Sequence, residues 1–131
     1  MNVGILLVTH THIGETLLRV ASDMLGRCPL PVGILSVSNS CDVDRVCTEA
    51  RTLAQSLDQG AGLLILTDLY GSTPSNIAHC LMQEGVRVVS GINLPMLVRV
   101  FNYPALNLEA LAVKAQSGAI DGIRICAPGT S

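Results

Sequence analysis

The stretch that most constrains this chain is residues 63–67, Leu-Leu-Ile-Leu-Thr, which follow a Gly-Ala-Gly turn and run into Asp68. The first four are apolar at odd and even positions alike. Successive side chains of a strand point to opposite faces, so this segment needs cover on both. A strand greasy on both faces belongs in a parallel sheet sandwiched between helices. Parallel neighbours in turn require long crossover connections, and the flanking sequence supplies them.

An apolar run at 3–9 opens the chain. Residues 13–25 then keep helical spacing at Ile13, Leu17, Val20, Ala21, Met24 and Leu25. Gly26 and Pro29 break that pattern, and 31–37 read as a second strand. Ser40 or Asp42 caps the next helix, whose stripe runs Val43, Val46, Cys47, Ala50, Leu53, Ala54 and Leu57. After the 63–67 strand, Pro74 fits the first helical position with Thr73 as its cap. That helix turns Ile77, Ala78, Leu81 and Met82 inward and stops near Gly85. Residues 86–90 are a fourth strand. Asn93 and Asn107 cap two further helices, the last reaching Gly118. Residues 122–126, Gly-Ile-Arg-Ile-Cys, alternate as a one-sided edge strand does. The expected architecture is an α/β three-layer sandwich with strand order 2-1-3-4 and an added C-terminal edge strand. A single domain spans 1–126, with a loose tail at 127–131.

Composition narrows the function. With one Phe, two Tyr and no Trp, the core is built from Leu, Val, Ile and Ala. The net charge of −2 and the lack of a basic run leave no electrostatic footprint for nucleic acid. No apolar stretch reaches the ~18 residues of a membrane span. The apolar start lacks the basic leader of a secretory signal. The five cysteines, Cys28, Cys41, Cys47, Cys80 and Cys126, form no CxxC pair, and an odd number argues against a complete disulfide framework. Cys47, on an apolar stripe, reads as a buried free thiol, and a reducing cytoplasm fits this usage.

In a 2-1-3-4 sheet the first and third strands are neighbours whose connections leave in opposite directions. A crevice opens between their carboxyl ends. His10 and Asp68 stand just past those two ends and are brought together by the winding. A carboxylate that accepts a hydrogen bond from one imidazole nitrogen fixes the tautomer and leaves the other with a nucleophilic lone pair. Thr9 and Thr11 flank His10, Gly71 permits an unusual backbone angle, and Ser72 and Thr73 supply hydroxyls. The helices after His10 and at Pro74 aim their amino ends at the crevice. A phosphoryl group carrying about −1.5 to −2 charges finds donors there without any lysine. The constellation reads as a phosphohistidine station.

The same residues fit other chemistries less well. His12 reads as an exposed helix-start residue and His79 as a solvated one. A zinc site built from His10, His12 and Asp68 lacks a fourth ligand. Ser72 lacks the GxSxG elbow of a hydrolase nucleophile, and no glycine-rich nucleotide loop is present. A receiver-like acyl phosphate on Asp68 needs magnesium held by acidic residues after the first strand, where this chain has Thr-His-Thr-His. The expectation is therefore no metal and no cofactor.

The segments "ILLVTHTHIGETLL", "LLILTDLYGSTPSNIA" and "SGINLPMLVR" resemble, in order and spacing, the mannose-class IIA domain of the bacterial phosphoenolpyruvate:sugar phosphotransferase system. The similarity covers nearly the whole chain. It implies a flavodoxin-like fold and a homodimer in which the last strand is antiparallel and exchanged between subunits. It implies that His10 accepts a phosphoryl group on Nε2 from the phosphocarrier HPr while Asp68 holds the ring. A hydroxyl matching Thr73 lies by the phosphoryl, which then passes to a IIB domain. Many members have Gly where this chain has Thr11, Gly or Ala at Ser72, and Phe at Ser75. The TPSN variant resembles a proteobacterial subgroup that is often free-standing, for which the alternative is a regulatory module whose phosphorylation state controls a partner protein.

Overall fold

The computed structural model describes residues 2–129. In chain order it contains β1 (Gly4–His10), α1 (Ile13–Leu25), β2 (Val32–Val37), α2 (Val43–Leu57), β3 (Leu63–Thr67), α3 (Thr73–His79), β4 (Val86–Ser90), α4 (Leu94–Phe101) and α5 (Leu108–Asp121). The strands form one sheet in the order β2-β1-β3-β4. Every neighbouring pair is parallel, with Leu7 opposite Ile34 on one side and Leu66 on the other. This is the α/β flavodoxin-like arrangement that the two-sided apolar strands require.

Strand alternation divides the core between the two faces. Ile5 and Leu7 of β1, with Leu64 and Leu66 of β3, pack against residues of α1, α4 and α5. Leu6, Val8, Leu63 and Ile65 point the other way, against α2 and α3. All of these side chains are essentially inaccessible to water. Each contributes about 1.5–3 kcal/mol by burial, which fixes register, since a one-residue slip would turn every side chain to the wrong layer.

The elements depart from the sequence reading in several places. The cap position of α3 is Ser72 rather than Thr73, which is itself the first helical residue. The helix ends at His79, well short of Gly85, so Met82 lies beyond it and is exposed. Asp42, not Ser40, caps α2, accepting from the Arg45 backbone N–H at 3.4 Å. Ile13, Val20, Met24 and Val43 were expected inside, yet are exposed at the margins of their helical stripes. Helix α5 runs three residues past Gly118.

Residues 123–126, expected as the edge strand, form no strand in the single chain. An edge strand needs a partner's backbone, and none of the described strands offers it to this segment. Of the expected loose tail, 130 and 131 lie outside the described residues. Cys47 is buried as expected but is not a free thiol, because it is disulfide-bonded to Cys80. The stripe of α2 faces the end of α3 in the same layer, and that packing brings the two Cα atoms to 6.3 Å. Helix rotation of this kind leaves no mark in cysteine spacing.

Candidate active site

His10 is the last residue of β1, and Asp68 follows the last residue of the adjacent β3. Parallel pairing sends both chains out of the sheet at the same edge, side by side. The Asp68 carboxylate takes two hydrogen bonds on Oδ2, from the His10 backbone N–H at 2.9 Å and the ring Nδ1 at 2.8 Å. Its other oxygen accepts from the Leu69 N–H at 3.0 Å. The carboxylate is therefore anchored by backbone before it orients the ring. The two side chains are 24% and 10% exposed, so the ring has one open edge and the carboxylate almost none.

Burial of Asp68 penalises its charged form. Hydrogen bonds from the His10 backbone and ring, together with the ring's charge, outweigh that penalty and hold the carboxyl below its ordinary value. Asp68 is ionised at neutral pH, and the Nδ1 proton is fixed toward it. The ring's Nε2 points to the open side.

Two threonines shape the turn between β1 and α1. The fully buried Thr9 places Oγ1 2.8 Å from the Gly14 backbone N–H, occupying an amide that the helix leaves unpaired. His12, at the cap position, makes no side-chain cap bond. Gly14 is needed for this fit, since a Cβ there would meet Thr9 Oγ1 at 3.1 Å and Leu7 Cβ at 3.2 Å. Thr11 has φ 43°, the left-handed region that β-branched residues avoid. Its N–H donates to the Val37 carbonyl at 3.2 Å, tying the turn to the end of β2.

The loop after Asp68 closes on itself. Ser72 Oγ donates to the Leu69 carbonyl at 2.6 Å, and the Ser72 N–H reaches the same carbonyl at 3.3 Å. Gly71 supplies the positive φ of 81° that this closure requires. The Thr73 hydroxyl makes no hydrogen bond among the described residues, and neither Gly71, Ser72 nor Thr73 is bonded to His10. Thus the structure brings His10 and Asp68 into contact, while Thr11, Gly71 and Ser72 lie on the two loops that follow β1 and β3, and Thr73 opens α3.

His12 is exposed and paired with Glu15 at 3.3 Å. His79 is exposed too, its Nδ1 on the Ser75 carbonyl at 2.7 Å and its ring edge-on to Tyr70. Asn39 was not singled out from sequence, yet its Oδ1 lies 3.1 Å from Nε2 of His10. The signal that could have found it is topological: β2 also neighbours β1, so the loop leaving β2 must pass the same edge.

The family model for the phosphotransferase system fructose IIA component, EIIA-man, matches residues 4–116. The chain is 30% identical to the mannose-specific EIIAB component of the phosphotransferase system from Escherichia coli K12, over 95% of its own length. It spans 40% of the length of that relative. A mannose/sorbose-specific IIA subunit from Enterococcus faecalis superposes over 100% of both chains with a TM-score of 0.85 at 24% identity. The IIA protein associated with the fucose utilization operon of Streptococcus pneumoniae covers 89% of this chain and 90% of its own, with a TM-score of 0.74 at 27% identity.

Proposed function

The chain belongs to the fructose/mannose IIA family of the phosphotransferase system, and on that footing we propose that it takes a phosphoryl group from phospho-HPr onto Nε2 of His10 and passes it to a IIB domain. The observation that carries this reading is the 2.8 Å hydrogen bond between Nδ1 of His10 and Asp68. It commits one nitrogen to the proton and leaves the other as the nucleophile on the open side. In the transfer, the donor's P–N bond breaks, its electron pair leaves with the donor imidazole, and the Nε2 lone pair forms the new P–N bond. The His10 ring gains positive charge, which the Asp68 carboxylate faces. Positioning and charge stabilisation are the main requirements of phosphoryl transfer, and a carboxylate already fixed by two backbone N–H groups orients the ring without reorganisation.

Thr73 is the hydroxyl we assign to the phosphoryl oxygens, because its donor is uncommitted. Gly71 and Ser72 hold the loop that presents it, and Thr11 sets the path of the backbone beside the acceptor. Leu69 and Tyr70, 62% and 77% exposed, give the rim of the site an apolar surface on which HPr or a IIB domain docks. Such a chain acts as a phosphotransferase of the cytoplasm. No helix among the described residues is long and apolar enough to cross a membrane.

A homodimer completes the reading. β4 forms one edge of the sheet, beside a cleft of about 620 Å³ whose lining includes Met82, Val88, Val113, Ile120 and Ile123. The segment 123–126, strandless in the single chain, has Ile123 and Ile125 at 74% and 95% exposure. Exchange of this segment between two copies would pair the free edge of β4 and cover these side chains.

The phosphotransfer reading is tested with enzyme I, HPr and labelled phosphoenolpyruvate. His10→Ala abolishes labelling and His12→Ala retains it. Label on both variants would place the acceptor elsewhere and end the proposal. Loss of label from the native protein on adding a IIB domain identifies the relay.

A further inference from the structure

The Nε2 atom of His10 faces another side chain. Asn39 Oδ1 lies 3.1 Å away, in the space that a phosphoryl group on Nε2 has to enter. The loop carrying Asn39 is well fastened: the Cys41 N–H donates to the Ser38 carbonyl at 3.1 Å, the Ser40 N–H donates to Ser38 Oγ at 3.2 Å, and Asp42 caps α2 just beyond. With Nδ1–H donating to Asp68, a neutral ring presents a lone pair at Nε2, and a lone pair facing an amide oxygen repels it. Two arrangements make the contact attractive. Either the ring carries both protons and Nε2–H donates to the oxygen, or the amide turns by half a rotation and its Nδ2–H donates to the neutral ring. Only the second leaves the lone pair available for phosphorus.

We propose that Asn39 is a further residue of the phosphoryl site, whose amide holds Nε2 in the resting protein and turns its NH₂ to a phosphoryl oxygen once the P–N bond has formed. The inference rests on the phosphotransfer reading above and adds a donor outside the sequence segments that carry the family resemblance. Nδ1 keeps its proton throughout, donated in the hydrogen bond to Asp68, and Asn39 neither gains nor loses one. Its NH₂ exchanges one acceptor, the ring nitrogen, for a stronger one, a charged phosphoryl oxygen. Asn39 is exposed and lies outside helix and strand, so its replacement leaves the core intact.

The test compares native protein with Asn39→Ala and Asn39→Asp, using phospho-HPr as donor and the ring ¹⁵N spectrum of His10 as a second readout. Loss of the donor in Asn39→Ala slows labelling by about ten-fold, the scale of a hydrogen bond to a charged group. Asn39→Asp is slower still, because a second carboxylate repels the incoming phosphoryl. It also moves the ring nitrogen shifts toward the doubly protonated form, a change that a purely structural role for the loop would not produce. Native rates in both variants would overturn the assignment of Asn39 while leaving phosphotransfer standing. Absence of label on the native protein would overturn the phosphotransfer reading, and the role of Asn39 with it.

Discussion

Thr11 holds φ 43° one residue after the acceptor. A left-handed backbone costs a residue with a Cβ roughly 1–2 kcal/mol, while glycine's extra freedom in the unfolded chain gives back about 0.5–1 kcal/mol. Thr11→Gly is therefore expected to stabilise the protein by about 0.5–1 kcal/mol in a denaturant titration, and to keep labelling at His10. A lower stability would show that the threonine side chain supports the turn. Asp68 bears on stability through pH. Its folded-state value is lowered, so its contribution is present above the unfolded value of about 4 and is lost as pH falls through the folded one. Melting curves from neutral pH down to about 3 should fall less steeply for Asp68→Asn than for native protein. Parallel acid limbs would mean that the carboxylate adds nothing specific to the fold.

Among the elements, the helices that open onto the site show how a pattern can be right and a cap misplaced. Periodicity marked α1 from its first residue to its last, but its amino end is satisfied by Thr9, five residues before the amide it accepts from. A cap search confined to the residue before the helix misses it. The same holds for α3, where Pro74 marked the start while Ser72, at the cap position, spends its hydroxyl on the Leu69 carbonyl. Residues 123–126 carry a strand's alternation without forming a strand. If exchange between two copies supplies a partner strand, replacing Ile123 and Ile125 together by aspartate should convert a dimer to a monomer in sedimentation analysis. An unchanged dimer would move the interface elsewhere.

At the scale of the whole molecule, the layer order was legible because apolar residues on both strand faces admit few arrangements. Residues 63–67 and 86–90 coincide with β3 and β4, and the order 2-1-3-4 follows from helices on both sides. The meeting of His10 and Asp68 is a consequence of that order, so residues 58 apart in sequence could be paired from pattern alone. Asn39 and the Cys47–Cys80 bond were not legible. Both depend on the course of a loop or the rotation of a helix, which hydrophobic periodicity does not encode. Apolar patterning thus specified which strand ends converge, while loop hydrogen bonds decided which side chains meet there.

If Asp68 commits one ring nitrogen of His10, the other takes the phosphoryl group. Protein with ¹⁵N-labelled histidine, phosphorylated by enzyme I, HPr and phosphoenolpyruvate, allows the nitrogen bonded to phosphorus to be read directly by NMR. Phosphorus is expected on Nε2 of His10. Phosphorus on Nδ1 of His10, on His12 or His79, or on the carboxyl of Asp68 would contradict this assignment.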